Sequence, residues 1–249
     1  MSGAPEVDGE LPFLAHLIEL RERLLKAVAA IGVLFLAGIP FANRIYAALA
    51  QPLLDKMPAG TKMIAIEVAS PFLTPLKLTF FAALVVAMPF VLYQAWAFVA
   101  PGLYRHEKRL AVPLLVSAVA LFYTGCAFAY FLVLPAVFGF LQAVAPVGVA
   151  VMTDISQYLD FVLVLFLAFG LCFEVPVAVV ILVLLGWVTP AQLREARSYV
   201  IVGAFVIAAV LTPPDVVSQL LLAIPMCILY EIGILASRWL PARTEAAKT

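Results

Sequence analysis

Six stretches of this chain are apolar over lengths close to what a helix needs to cross a lipid bilayer, and they leave little sequence for anything else. Crossing a hydrocarbon core of about 30 Å takes about 20 apolar residues at about 1.5 Å each. The stretches run from Leu24 to Phe41, Phe72 to Val99, Leu110 to Leu134, Tyr158 to Val188, Tyr199 to Leu211 and Val216 to Ala236. A composition of 65% hydrophobic and 12% charged residues over 249 positions is incompatible with a soluble domain of this size. The pattern predicts an all-α polytopic membrane protein: one integral membrane domain over residues 1–249, with a short tail at 242–249.

The stretches are not equivalent. Ser70-Pro71 before the second reads as an N-cap followed by proline in the first turn. The fourth is long enough to tilt or bend, and Pro176 offers the place. Tyr199 to Leu211 spans only 13 residues before Thr212-Pro213-Pro214-Asp215 stops it, and the sixth is interrupted by Gln219, Pro225 and Glu231. Both are expected to be short helices forming a hairpin beside a thinned bilayer, with a re-entrant hairpin as the alternative. No internal repeat of the inverted-repeat transporter kind is evident, because the halves differ in span length and in their loops.

With six crossings, one side of the membrane receives eleven of the fifteen basic residues, among them Arg21, Arg23, Lys26, Arg105, Lys108, Arg109, Arg194 and Arg197. The other side receives Arg44, Lys56, Lys62 and Lys77, and the loop from Pro135 to Gln157 has no Lys or Arg. The positive-inside rule therefore predicts that both termini are cytoplasmic. Residues Met1 to Glu10 carry three acids and no base, so the start does not read as a cleavable signal peptide. A formal net charge of zero favours no nucleic acid partner. Cys126, Cys172 and Cys227 lie within apolar stretches without CxxC spacing, which suits small buried hydrophobes rather than metal ligands or disulfides. No cofactor is implied.

Between Phe13 and Val28, Leu14, Leu17, Ile18 and Leu25 fall on one helical face and His16, Glu19, Arg23 and Lys26 largely on the other, the pattern of an interfacial amphipathic helix ahead of the first span. By spacing alone, Glu19 pairs with Arg23 and Glu22 with Lys26, each four residues on. Glu107 is a lone acid among Arg105, Lys108 and Arg109, which spacing reads as a solvated loop. Glu174 lies midway along the fourth stretch, where a charge costs about 2.5–3.5 kcal/mol on insertion scales and so suggests a function or a polar cavity. Glu231 lies near a span end and is expected to snorkel to the interface. Thr212 and Gln219 flank the final turn, where they can cap, bond within a helix or reach a neighbouring one. A proton-coupled transporter or channel built on Glu174 and Asp215 would want more ionisable groups at membrane depth. An intramembrane enzyme would want a nucleophile and base; both histidines, His16 and His106, lie at a membrane edge, and no GxSxG or HExxH occurs. The chain reads as no enzyme.

Six segments in order, HLIELRERL (16–24), ASPFLTPLKLTF (69–80), YQAWAFVAPGLYRHEKR (93–109), FAYFLVLP (128–135), FGLCFEVPV (169–177) and LTPPDVVSQLLLAIPM (211–226), resemble the TatC family, the polytopic subunit of the twin-arginine translocase. The resemblance implies a cupped six-helix receptor in the bacterial cytoplasmic membrane, binding signal peptides with two adjacent arginines. It also implies the single-span partners TatB and TatA, a homo-oligomeric receptor complex, and transport of folded cargo driven by the protonmotive force rather than by ATP. The absence of GxxxxGK[ST] agrees with the last point. By the same resemblance, Glu19 and Glu107 form the arginine-pair site, with Arg21, Arg23, Phe98 and Lys108 close by. Pro52 and Phe72 are implied as outer-loop and cap positions. Glu174, Asp215 and Gln219 are implied as polar positions of the concave membrane face, Gln219 near docking partner helices. Carboxylates suit such a ligand, because a guanidinium pairs with a carboxylate through two parallel hydrogen bonds that an ammonium cannot reproduce. Lys26 and Arg105 give the site a basic background that the two acids must overcome.

Overall fold

The computed structural model describes residues 10–54, 64–99, 111–144, 154–211 and 216–238, which are helical almost throughout. Helix α1, Glu10–Gly38, is one uninterrupted rod of 29 residues. The separate interfacial helix expected before the first span is therefore absent as an independent element. The physical reason lies in the sequence: from Leu14 to Ile31 there is neither Gly nor Pro, and Leu, Arg, Glu, Lys and Ala all favour helix. Gly38 and Pro40 end it in a 3-10 turn, Ile39–Phe41. Helix α2, Ala42–Leu54, then occupies ground expected to be a loop.

Helix α3, Ser70–Val99, begins differently from the expected cap. The Ala69 carbonyl accepts from the amides of Phe72 and Leu73 at 3.1 and 2.9 Å, while the Ser70 amide donates to Glu67. Ser70 is thus already helical and buried, and its hydroxyl has no hydrogen-bond partner among the described residues. Pro71 sits in the first turn, where its missing N–H is no loss. Helices α4, Ala111–Phe128, and α5, Leu134–Val144, are joined by a π-helical turn at Ala129–Val133, so this path runs ten residues beyond the expected end. The widened turn directly precedes Pro135, whose ring would clash with the Phe131 carbonyl in a regular helix.

The expected bend in the fourth stretch is a break. Helix α6, Ile155–Cys172, and helix α7, Val175–Leu184, are separated by Phe173 and Glu174, with Pro176 in the first turn of α7. Asp154 caps α6 by accepting from the Ser156 amide at 2.7 Å. Helix α7 stops short of the expected Val188 because Gly186 adopts φ 71°, the left-handed conformation. The amides of Gly186 and Trp187 donate to the carbonyls of Val183 and Leu182, which satisfies the last turn. The six-residue α8, Pro190–Glu195, opens with a reciprocal capping box between Thr189 and Gln192.

Helix α9, Arg197–Leu211, has 15 residues and is short, as expected. Helix α10, Val216–Arg238, has 23 and is not, so the expectation of a short sixth helix is overturned. The polar residues that seemed to truncate it are satisfied in place: Gln219 Nε2 donates to the Phe205 carbonyl of α9 at 3.1 Å, and Glu231 is ion-paired. Among the described residues five helical stretches can cross a membrane by length and composition, 16–48, 70–99, 112–140, 155–184 and 216–238, and α9 falls below that length.

The α6–α7 pair is the central post: half of its most apolar stretch is buried within the protein, against 6% for that of α1. Val162, Leu165 and Phe169 of α6 share one buried cluster with Val133 and Val137 and with Leu222 and Ala223 of α10. Trp96 and Ala118 pack with Val177, Val180 and Leu184 of α7. Small residues let the backbones approach: a Cβ at Gly125 would meet the Phe169 carbonyl oxygen at 2.5 Å, and one at Gly233 would meet Pro176 Cα at 3.0 Å. Helix α1, by contrast, leaves Leu17, Ile18, Leu24, Leu25 and Val28 exposed, which suits contact with lipid.

Candidate functional site at the start of α1

The start of α1 lies against the end of α3. The imidazole of His16 stacks on the Phe98 ring, centroids 4.2 Å apart and planes 18° from parallel. One turn further along α1, Glu19 Oε1 accepts from both Arg23 Nε, at 2.9 Å, and Arg23 Nη2, at 2.6 Å. Glu19 Oε2 lies 4.0 Å from His16 Nδ1, beyond hydrogen-bond distance. The four side chains form one cluster in which a carboxylate is held from one side by a guanidinium and bordered on the other by an aromatic stack. The spacing argument for Glu19 with Arg23 is met. Arg21 is exposed, as are Glu22 and Lys26. Glu107 and Lys108 lie outside the described residues, so the structure describes only the α1 and α3 residues of the expected arginine-pair site.

Glu174 stands at the break between α6 and α7, where its backbone carbonyl accepts from the Ala178 amide. Its Oε1 is buried without a hydrogen-bond partner among the described residues. Gln219 takes the interhelical option, bonding α9 rather than its own helix. Phe72 is exposed at the start of α3. Pro52 belongs to α2, with its side chain outside those described, and Thr212 and Asp215 lie outside the described residues altogether.

Several polar contacts between distant segments were not foreseen from the sequence. Lys77 Nζ of α3 donates to both carboxylate oxygens of Asp160 on α6, at 2.7 and 3.0 Å, and approaches Ser156 Oγ at 3.5 Å. Near the same end of α6, the Ile66 amide donates to Asp154 Oδ2 and the Ile155 amide to the Ile64 carbonyl, tying the segment before α3 to the start of α6. Arg197 and Glu231 meet in a two-pronged pair, Nε to Oε1 and Nη2 to Oε2, both 2.6 Å, so Glu231 is an interhelical partner rather than a lone snorkelling acid. Separations of 83 and 34 residues leave no periodic signal for the two ion pairs; only the isolated charges inside apolar stretches hinted at them. The three cysteines are free, and among the described residues no three His, Cys, Asp or Glu groups converge as a metal site would require.

A polytopic helical membrane protein whose ionisable groups gather at helix ends, with one acid set at a helix break inside, is the class these features define. The family model for the Sec-independent protein translocase protein (TatC) matches residues 15–225, and the chain belongs to that family. Among curated relatives, the TatC protein of Escherichia coli (strain K12) is 57% identical over 233 residues, covering 94% of this chain and 90% of its own length. That of Azotobacter chroococcum mcd 1 is 56% identical over 247 residues, covering 99% and 97%. A crystal structure of a twin arginine translocase receptor, TatC, superposes with a TM-score of 0.80 at 38% identity over 90% of this chain and 98% of that one. The chain is thus a membrane component of the Sec-independent protein translocase, and its family is not an enzyme family.

Proposed function

We propose that the chain is the receptor subunit of the twin-arginine translocase, capturing signal peptides of folded cargo at the cytoplasmic face of the bacterial inner membrane. In this reading six helices cross, α9 where the bilayer is thinned, and both termini are cytoplasmic. The single-span subunits TatB and TatA join the chain in a homo-oligomeric complex that the protonmotive force drives. Glu19 and Glu107 receive the arginine pair, with Arg21, Arg23, Phe98 and Lys108 around them. Pro52 and Phe72 serve the outer loop and cap, with Asp215 at the outer end of the concave membrane face, and Glu174, Thr212 and Gln219 are the polar positions of that face where partner helices dock.

The observation that carries this reading is the state of Glu19. Its carboxylate sits near the start of α1, partly shielded by the His16–Phe98 stack, and already accepts two hydrogen bonds from a guanidinium. A site that holds Arg23 this way has the geometry to hold an arginine of a peptide, and the shielding raises the value of such a bond above that of a fully solvated pair. The apolar region of the signal peptide would add affinity by burial against exposed apolar side chains of α1 such as Leu24 and Val28.

The test is a photocrosslinkable twin-arginine signal peptide and its twin-lysine counterpart, presented to membranes carrying the parent chain, Glu19→Lys or Glu107→Lys. The expected result is strong crosslinking of the twin-arginine peptide to the parent alone, with equal insertion of all three proteins. Equal crosslinking of both peptides, or no effect of either substitution, overturns the proposed site. A proton-coupled transporter or channel finds less support: Lys77–Asp160 and Arg197–Glu231 are paired near helix ends, and among the described residues only Glu174 stands between them.

A further inference from the structure

We infer that Arg23 is a specificity-determining residue, a tethered competitor that holds Glu19 closed to ammonium groups and yields to guanidinium. This rests on Glu19 belonging to the signal-peptide site, and it assigns Arg23 a separate role there.

The geometry is asymmetric. Both Arg23 donors converge on Oε1, at 2.9 and 2.6 Å, so that oxygen is saturated by the chain's own side chain. Among the described residues Oε2 has only His16 Nδ1 near it, 4.0 Å away, and the His16 ring is kept in place by its stack on Phe98. Neither member of the pair is freely solvated, the side chains being 24% and 34% exposed, so water does not fully screen the contact. An approaching cation therefore meets a carboxylate whose charge is already neutralised.

That neutralisation discriminates between ligands. An ammonium is a strongly hydrated point charge whose attraction depends on net negative charge, and it cannot replace a two-donor fork. A guanidinium is more weakly hydrated and planar; it can take the open oxygen, or displace Arg23 and restore the same pair of bonds. Arg23 thus costs both ligands affinity, and costs the lysine peptide more. Specificity arises from an element that works against the wrong ligand as well as one that suits the right one.

The experiment measures crosslinking of twin-arginine and twin-lysine signal peptides to the full chain in membranes, normalised to inserted protein. The variants are Arg23→Gln, Arg23→Met, Arg23→Lys and Glu19→Gln. Arg23→Gln is expected to raise twin-lysine capture by about fivefold, the upper end for one partly exposed ion pair, and to narrow the preference for arginine accordingly. Arg23→Met keeps the side-chain stem without its charge and should do the same, which separates loss of competition from loss of packing. Arg23→Lys restores the charge and should return twin-lysine capture to the parent level. Twin-lysine capture unchanged or lowered in the Gln and Met variants, or raised equally in the Lys variant, overturns the role of Arg23. Undiminished twin-arginine capture in Glu19→Gln overturns the underlying site instead, so the two failures are distinguishable.

Discussion

Gly125 gives the sharpest test of how the central post is held. It lies on α4 facing α6, and a Cβ there would meet the Phe169 carbonyl oxygen at 2.5 Å and its carbon at 3.0 Å, where ordinary contact begins at 3.4 Å. The obstacle is backbone, so no rotamer relieves it, and Gly125→Ala must part the two helices by about 0.9 Å (3.4 less 2.5). Overpacking of this kind costs about 1–3 kcal/mol, offset by the gain of about 0.5–1 kcal/mol from replacing a helical glycine with alanine, a net loss of up to about 2.5 kcal/mol. Gly32, Gly139 and Gly203 are also helical but have nothing within 4 Å of the added carbon. The same substitution there removes only the glycine cost and should stabilise by about 0.5–1 kcal/mol. Thermal unfolding of the purified protein in detergent, followed by helical circular dichroism, reads both signs. At about 2–4 °C per kcal/mol for a chain of this size, Gly125→Ala should lower the midpoint by up to about 10 °C while the three controls leave it level or higher. A Gly125→Ala protein as stable as the controls would refute the claim that α4 and α6 meet through backbone contact.

The Lys77–Asp160 pair should behave as a reciprocal contact: Lys77→Asp or Asp160→Lys alone costs about 1 kcal/mol, and the charge-swapped double variant recovers most of it. Additive losses in the double-mutant cycle would show that the pair contributes nothing. For Glu174→Gln, a substitution that keeps size and removes the charge, export of a folded reporter should fall while crosslinking of the signal peptide persists; unchanged export would leave Glu174 without a transport role. Gly186→Ala places a Cβ in the left-handed region at φ 71° and should destabilise by about 1–2 kcal/mol in the same detergent assay, whereas Gly186→Asn, which tolerates that conformation better, should cost less.

What could be read from the sequence follows from which forces are local. Apolar length located the membrane helices, and the proline at 176 located the break beside Glu174, because both depend on residues within a few turns of one another. The shortness of α9 was legible for the same reason. The length of α10 was not, because Gln219 and Glu231 read as interruptions until their partners on α9, Phe205 and Arg197, were in place. The loop between the first two spans hid α2 because nothing in its composition distinguishes a short helix lying between two others from irregular chain. In the candidate site, Glu19 with Arg23 followed from a four-residue spacing, but the stack of His16 on Phe98 joins residues 82 positions apart and needed the fold.

The burial pattern also sets how a binding event at α1 could reach the interior. Helix α1 is the least enclosed of the candidate spans, and its described ring contacts, His16 with Phe98 and Phe35 with Phe80, are both with α3. Gly38 likewise faces Thr79 of α3, where an added carbon would lie 2.8 Å from the threonine methyl. Helix α3 in turn meets the post through Phe81 against Phe166 and through Lys77 with Asp160. A displacement of α1 by a ligand at the proposed Glu19 site would therefore pass chiefly through α3 before it moved α6 and the break that carries Glu174. The interior of the post is glycine-fitted and resists deformation, whereas the Lys77–Asp160 pair is half-exposed and can rearrange. The Lys77 and Asp160 variants consequently probe coupling as well as stability: if α3 is the route, each single variant reduces export while signal-peptide capture at Glu19 is retained, and the charge swap restores export.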